Sequence, residues 1–478
     1  MIKELNGKRF GVQTGSTFDA DVLSWFPDAE IVYYNSLPDL AVALQSGKID
    51  AFPSDAISLE MMKDQNQSSA LKILEPFMDQ YSCGFVFDKT PEGQQLRDEF
   101  DEWMAGAEQS GRMEAMRDKW FHADEEEKTM PEYKSLVPEK GTLVFATEAG
   151  FPPFDYLREG EVVGLEVEMA IDFCADNGYG IEIVPMSFEG LLPAVQYGKV
   201  DFSASGIAIT PERMESISFS RPYYTGGTKI VVRNTEGSEE GSFAAGIIES
   251  IKKTFVREDR WKLFLEGSIN TLLITVFSTL FGTLLGFLVF LLCRSRGVIV
   301  NTVTAGFTWL LQGMPMVVLL MVLYYIILGK TSLGGMVISI VGFTLVFGVS
   351  VFGILQTGVA AVDNGQAEAA CALGCKPGQT FFRIILPQAL PFMTGPYRGE
   401  IVSLIKATSI VGYIAVLDLA KMGDLVRSRT YEAFFPLIAV MVIYFVLEGL
   451  LGLLVKVIAK RLDPRRKKGL LKGIHLHD

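Results

Sequence analysis

Arg213 stands two residues after Pro211 in the run Thr210-Pro211-Glu212-Arg213. Proline suits the first position of a helix, and the free N–H groups of that turn favour an anion. A guanidinium beside them can hold a carboxylate through two parallel hydrogen bonds. The competing reading is a surface ion pair with Glu212 or Glu215. A second group of residues suits docking rather than small-molecule chemistry. Glu368 to Pro387 read EAACALGCKPGQTFFRIILP: EAA, three residues, Gly, nine residues, then Ile-x-Leu-Pro. The spacing predicts a short helix, a tight turn at Gly374 where glycine supplies positive φ, and a second helix stopped by Pro387. The small Ala369 and Ala370 let another protein approach closely. Other chemistry is not legible. Cys83, Cys174, Cys293, Cys371 and Cys375 have no metal-site spacing and read as small apolar fillers. There are three histidines, and neither a Ser/His/Asp pattern nor a G-x-x-x-x-G-K-[ST] phosphate loop occurs. No cofactor or metal is expected, and the chain does not read as an enzyme.

The elements that must position these residues fall into two unlike halves. Hydrophobic residues make up 49% of the 478 and the mean hydropathy is +0.28, high for a soluble chain. The length allows several domains. Residues 1–250 hold 20 Lys and Arg against 44 Asp and Glu, whereas residues 251–478 hold 23 against 12. An acidic soluble front and a basic membrane-embedded back follow. The net charge of −13 argues against nucleic acid as a partner, which needs a basic face.

Gly267 to Cys293 is 27 residues without a charge, Gly297 to Gly329 is 33 and Thr331 to Val362 is 32. Each exceeds the roughly 20 apolar residues that cross a bilayer. Two weaker spans are expected at residues 401–417 and 433–455, interrupted by Lys406 and Glu448. Lys406 reads as a side chain snorkelling at the inner interface; Glu448 reads as the partner of a neighbouring helix or as lining a water-filled path. Basic residues follow the first span (Arg294, Arg296), the third (Lys376, Arg383) and the fifth (Lys456, Lys460, Arg461 and onward). Those ends therefore belong in the cytoplasm, and the segment before the first span outside. Lys421, Arg427 and Arg429, after the fourth span, break the rule. Pro315, mid-span beside Gln312 and Gly313, is expected to kink the second span. Trp261, Phe264 and Leu265 close an amphipathic stretch from near Ile247 and read as an interfacial helix with an aromatic anchor.

The front half alternates short apolar strands with helices, as α/β folds do. Leu143 to Phe145 makes a strand; Leu191 to Val195 continues a helix that Gly198 stops. The segments FPPFDY, GLEVEMAIDF, SFEGLLPAVQYGKVDF, SGIAITPER and FSRPYY in residues 140–235 resemble the first lobe of the periplasmic amino-acid-binding proteins, the bacterial extracellular solute-binding proteins of family 3. LNGKRFGVQTGST, GKIDAFPSDAI, CGFVFDK and QQLRDEFDEWMAGAEQSGRMEAMRDKWF in residues 1–125 resemble the second lobe and its closing helices. The stretch 368–387, with PQAL and LIKATSI after it, resembles the cytoplasmic coupling loop of polar amino-acid ABC importer permeases of the histidine and glutamine type. Gln312, Gly313 and Pro315 resemble that family's RGTP stretch, with Gln replacing Arg.

The resemblance implies an α/β two-lobe periplasmic-binding-protein-like module of type II, followed by an all-α membrane domain of about five transmembrane helices. It also implies roles for single residues. Arg213 would hold the carboxylate of a free amino acid, helped by Ser205, Gly206, Thr210 and the backbone of Ala208, where most relatives carry Thr or Ser. Thr17 would offer its N–H to the same carboxylate. Phe151 and Phe188 would sandwich the ligand side chain, with a plain core role as the alternative. Asp55 would take the ligand ammonium, Asp50 being structural; the alternative for Asp55 is a helix N-cap. Glu368, Ala369, Ala370, Gly374, Ile384, Leu386 and Pro387 would receive a separate ABC ATPase.

The order of the parts is unusual. The second lobe and closing helices occupy 1–125, a linker 126–139, and the first lobe 140–235. A linker and interfacial helix at 236–265, the permease transmembrane domain at 266–460 and a basic cytoplasmic tail at 461–478 follow. Residues 1–235 are either one circularly permuted module or the remnant of a tandem pair, and the first is favoured because each part supplies what the other lacks. No leader-like stretch precedes Lys3, so export is expected to depend on residues outside this sequence or on the first span. The expected function is the substrate-binding and membrane-spanning subunit of an amino-acid ABC importer. It would sit in the bacterial plasma membrane with its lobes on the outer face, paired as a permease homodimer or heterodimer. The alternative is a ligand-gated channel or a transmembrane sensor. A channel needs a pore-loop filter and a sensor a signalling domain, and neither is legible.

Overall fold

The computed structural model describes residues 2–62, 71–75, 80–134, 138–234, 248, 250–295, 298–329, 331, 333–430 and 434–462. Parts of both expected linkers (135–137 and 235–247), Arg296 and the basic tail from residue 463 lie outside the described residues. The chain divides into two units. One comprises Met1–Gly267, Tyr324–Ser332 and Gly412–Val440; the other is the remainder.

In the first unit, strands form where β-branched and aromatic residues cluster, as in EIVYY and TLVFAT. A six-stranded sheet runs in the order Glu30–Tyr34, Arg9–Gln13, Ala51–Asp55, Tyr224–Arg233, Leu71–Leu74, and Gln80–Cys83 also pairs with Tyr224–Arg233. A five-stranded sheet runs Gly180–Pro185, Thr142–Thr147, Phe202–Ser203, Val86–Phe87, Ser218–Phe219. The parallel neighbours are joined through helices such as Phe18–Trp25 and Leu165–Asp176, because parallel pairing requires a crossover. Each sheet takes strands from both sequence segments. Tyr224–Arg233, from the end of the second segment, lies between Ala51–Asp55 and Leu71–Leu74 of the first. Val86–Phe87, from the first segment, lies between Phe202–Ser203 and Ser218–Phe219 of the second. Tyr224–Arg233 also pairs with Gln80–Cys83, the strand just before Val86–Phe87, with Tyr224 opposite Cys83 and Gly227 opposite Gln80. Each sheet anchors one lobe.

The packing is shared in the same way. Phe85, Phe87, Phe100 and Trp120 enter one buried core with Phe145, Phe173 and Phe202. The Phe85 and Phe100 ring centroids lie 4.5 Å apart, those of Phe145 and Phe202 5.0 Å. A buried ring contributes roughly 1.5–3 kcal/mol, so the four from the first segment supply roughly 6–12 kcal/mol. That matches the whole net stability of an ordinary domain, about 5–15 kcal/mol. Residues 140–235 without them would keep little margin.

The second unit is helical. Among the described residues, three helices are long and apolar enough to cross a membrane: Trp261–Arg294, Gly335–Ala360 and Phe434–Ile458. Two bent pairs, Ile299–Gly313 with Met316–Ile327 and Pro377–Ile414 with Leu419–Thr430, bring the number to as many as five. The 108° bend of the first pair falls at Pro315, which lacks the N–H that would continue the helix. Gly286 brings two spans to backbone distance: a Cβ there would stand 2.5 Å from the Gly348 carbonyl oxygen, the close approach small residues permit between membrane helices.

Three sequence expectations need correction here. Trp261, Phe264 and Leu265 do not belong to a separate interfacial helix; they form the start of the 35-residue helix Trp261–Ser295. The chain breaks earlier, where Glu258 and Asp259 take φ of 54° and 51°. The span expected at 401–417 begins sooner, since helix Leu386–Ala407 already precedes the tighter 3-10 segment Thr408–Ile414. Lys406 does not simply snorkel: its Nζ lies 3.2 Å from Glu448 Oε2, and the two charges expected in spans neutralise each other.

Candidate functional site

Seven of the nine expected binding residues line one cavity in the first unit: Thr17, Phe151, Phe188, Ser205, Gly206, Ala208 and Arg213. It lies at the carboxyl ends of the parallel strands Arg9–Gln13 and Thr142–Thr147, where α/β sheets accept ligands. Thr210 does not line it but builds it. Its Oγ1 accepts the Arg213 N–H at 3.2 Å, capping helix Pro211–Ser216. Arg213 Nη1 donates to the Ala208 carbonyl at 2.9 Å and Nη2 to the Gly15 carbonyl at 2.8 Å, so one side chain joins the two lobes. Among the described residues Arg213 makes no salt bridge, and Glu212 acts on it only through its charge. Burial pulls its pKa below the usual arginine value. With two of its five N–H groups on carbonyls, donors remain for a carboxylate. Thr17 sits at the N-cap position of helix Phe18–Trp25, whose first-turn N–H groups have no helical partners.

Buried acids hold this wall in place. Asp155 Oδ1 accepts the Gly150 and Phe151 N–H groups at 3.1 and 3.2 Å, and Glu166 Oε1 accepts the Gly206 N–H at 2.8 Å. Phe151 stacks on Phe154 with centroids 5.4 Å apart. The cavity holds only about 30 Å³, room for about one water. It is too small for an amino acid with the lobes as they stand.

Asp55 is not brought to the cavity. It is fully buried; its Oδ2 accepts the Tyr81 hydroxyl at 2.6 Å, and its Oδ1 accepts the Tyr224 hydroxyl at 3.1 Å and the Ile57 N–H at 2.9 Å. It sits in the cap position ahead of helix Ala56–Met62, and Tyr81 rather than Asp55 lines the space. The acid that does line it is Glu148, which sequence reasoning passed over. Gln13 Nε2 donates to both Glu148 oxygens, at 3.1 and 3.2 Å, across 135 residues. Burial, with Asp155 nearby, pushes the Glu148 carboxyl up to about 8, against the opposing pull of Lys421 and Gln13. The available signal was position: Gln13 and Glu148 each stand at the carboxyl end of a strand. Asp50 is structural, its Oδ1 paired with Arg9 at 3.1 Å.

The EAA stretch, in the other unit, folds as a helix and a turn. Helix Asn364–Ala372 carries Glu368, Ala369 and Ala370, with Glu368 and Ala369 exposed and Ala370 buried. Gly374 takes φ 79°. Its N–H donates to the Cys371 carbonyl at 2.9 Å and the Cys375 N–H to the Ala370 carbonyl at 3.0 Å, the paired closure of a Schellman turn. Leu373, 85% exposed, stands at the tip beside Gly374. Pro387 does not stop the helix that follows. The chain passes from Pro377–Thr380 through a wide π turn at Phe381–Ile385, which carries Ile384, into Leu386–Ala407, whose first turn holds Leu386 and Pro387. The wider turn absorbs the N–H that proline lacks.

Helix Leu419–Thr430 holds the cations that break the flanking-charge rule. Asp418 caps it, accepting the Ala420 and Lys421 N–H groups at 3.1 and 3.0 Å. Arg427 pairs with Asp39 and Asp424, and Arg429 with Glu125 at 3.1 Å and Glu258 at 3.2 Å. Arg427 and Arg429 are thus paired with acids of the same unit.

The chain belongs to the bacterial extracellular solute-binding proteins, family 3, whose family model matches residues 143–401. It is also similar to the "Putative glutamine transport system permease protein GlnP" of Rickettsia bellii, 30% identical over 203 residues covering 41% of this chain and 92% of that protein. The "Probable glutamine ABC transporter permease protein GlnM" of Bacillus subtilis is 29% identical over 216 residues, 43% of this chain and 95% of that protein. The "Arginine-binding extracellular protein ArtP" of Bacillus subtilis is 32% identical over 123 residues, 26% of this chain; the match spans about half, 48%, of that protein. The polypeptide thus joins a solute-binding part to a permease part.

Proposed function

We propose that residues 1–235 act as one circularly permuted module that closes on a free amino acid, and that residues 266–460 pass it inward across the plasma membrane. The chain is the solute-binding and membrane-spanning component of an amino-acid ABC importer, and a separate ATPase drives it. Arg213 receives the ligand carboxylate, with the first-turn N–H groups after Thr17 and the backbone of Ser205, Gly206 and Ala208. Phe151 and Phe188 enclose the side chain. Glu148, rather than Asp55, is the acid within reach of a ligand ammonium or cationic side chain. The lobes face outward and the C-terminus the cytoplasm. The ATPase docks on the exposed tip of the EAA hairpin, and two such permease parts assemble, as a homodimer or with a similar permease. The chain itself catalyses no reaction.

One observation carries this reading: a half-buried guanidinium that ties the two lobes and, among the described residues, has no carboxylate of its own. Calorimetry of the full chain in lipid nanodiscs against each of the twenty L-amino acids is the test. Saturable binding of at least one, with Kd in the micromolar range or tighter, about −8 kcal/mol, is expected. Heat indistinguishable from buffer for all twenty would remove the reading.

A further inference from the structure

A second cavity of the first unit is larger than the proposed ligand cleft. About 380 Å³ opens among residues 121–128, the turn 253–260 and the end of helix Leu419–Thr430, against about 30 Å³ in the cleft. Five cations line it, Lys128, Lys253, Arg257, Arg260 and Arg429, with three carboxylates, Asp124, Glu125 and Glu258. Lys128 is 5% exposed and Arg260 6%. The ion pairs of the interior cations converge on two acids. Glu125 is shared by Lys128 (3.7 Å), Arg158 (3.8 Å) and Arg429 (3.1 Å), and Glu258 by Arg260 (3.1 Å) and Arg429 (3.2 Å). Among the described residues, four cations, three of them lining the cavity, therefore share the two carboxylates Glu125 and Glu258. Buried charge costs several kcal/mol per ion unless it is neutralised. The Nε atoms of Arg260 and Arg429 are buried and make no hydrogen bond with the described residues. Burial pulls the Lys128 and Arg260 pKa values down, against the pull of Glu125 and Glu258 respectively.

We propose that this cavity is a binding site for a phosphate-bearing anion, distinct from the amino-acid cleft. Guanidinium forks match phosphate oxygens in pairs, and the volume falls within the range of small-ligand pockets. Its place along the chain bears on the source. Arg260 immediately precedes helix Trp261–Ser295, whose uncharged run begins at Gly267, about 10 Å along the helix axis. The headgroup layer is about 5–8 Å thick on each side of the hydrocarbon, so Arg260 falls at its outer edge. Trp261 is 48% exposed, as an aromatic anchor at the interface would be. A lipid headgroup and free phosphate present the same chemistry here.

The test uses the full chain in maltoside micelles, which carry no phosphate. Inorganic phosphate or a short-chain phosphatidylglycerol is titrated at ionic strength fixed with sodium chloride, and the thermal midpoint gives the apparent affinity. The variants are Arg260→Gln and the rim double variant Lys253→Gln/Arg257→Gln, each required to show a native-like circular dichroism spectrum and a cooperative melt. At least one probe raises the midpoint of the native chain, and each variant binds it about tenfold more weakly, the loss of one charge-assisted contact. A response to phosphatidylglycerol alone assigns a lipid headgroup; a response to inorganic phosphate assigns the free anion. Amino-acid binding, measured in the same samples, is unchanged by either variant, so this site and the cleft stand or fall separately. No shift beyond that of sodium chloride, or an equal shift in the rim variant and the native chain, overturns the proposal.

Discussion

On the proposed function, replacing Arg213 by alanine removes its hydrogen bonds to the ligand carboxylate. The guanidinium already gives one N–H to Ala208 and one to Gly15, which leaves three of its five, enough for a bidentate carboxylate. Each hydrogen bond to a charged partner is worth roughly 1.5–3 kcal/mol. Arg213 is only half-buried, so solvent screening argues for the low end, about 3 kcal/mol for the pair. That is about a hundredfold in Kd. Arg213→Lys keeps the charge but loses the fork, and the loss should fall between, about tenfold. The assay is calorimetry of the full chain in nanodiscs with the amino acid that binds best. Loss of the Gly15 and Ala208 bonds also weakens lobe closure, so ligand-induced protection of residues 13–17 from hydrogen exchange should shrink in parallel. An Arg213→Ala chain that binds within threefold of native, with protection intact, would refute the reasoning: the carboxylate would then lie elsewhere in the cleft.

Two further outcomes are expected. Glu148 holds a proton in the folded chain up to about pH 8, whereas its ordinary value is 4.5. The folded state therefore binds more protons than the unfolded between those limits, and stability falls as pH rises through that window and levels off above it; Glu148→Gln should flatten the profile of thermal midpoint against pH, and parallel profiles would mean that the carboxyl is not enclosed as described. Arg427 and Asp39 pair across 388 residues. Asp39→Arg or Arg427→Asp alone should destabilise the first unit by about 3 kcal/mol, with much of it regained in the double exchange; additive losses in denaturant unfolding would show that the two do not meet.

Much of this was legible in the sequence because it is written in short-range spacing. Gly374 closes its turn with hydrogen bonds to Cys371 and Ala370, all within a few residues. Thr210 and Pro211 announce the helix that carries Arg213. The three long charge-free runs needed only counting. What was missed depends on groups far apart in sequence. Asp55 looked available because nothing near it reveals that Tyr81 and Tyr224 enclose it. Glu148 looked ordinary because its partner Gln13 belongs to the other lobe. Lys406 was read alone because Glu448 lies on a later helix. Pro387 misled for a different reason. Proline forbids one hydrogen bond, not a helix, and the π turn at Phe381–Ile385 supplies a way past it.

The most direct measurement is ATP-driven uptake. The full chain and its ATPase would be reconstituted in proteoliposomes with ATP enclosed in one set and added outside in another, and radiolabelled amino acid followed into the lumen. Accumulation above the outside concentration is expected, dependent on ATP at the face that carries Gly374. It should be lost in Gly374→Asp, where φ 79° strains any residue with a Cβ, while amino-acid binding persists. Uptake that proceeds to equilibrium without ATP, or that is unaffected by Gly374→Asp, would contradict the central claim that a separate motor drives this chain through the EAA hairpin.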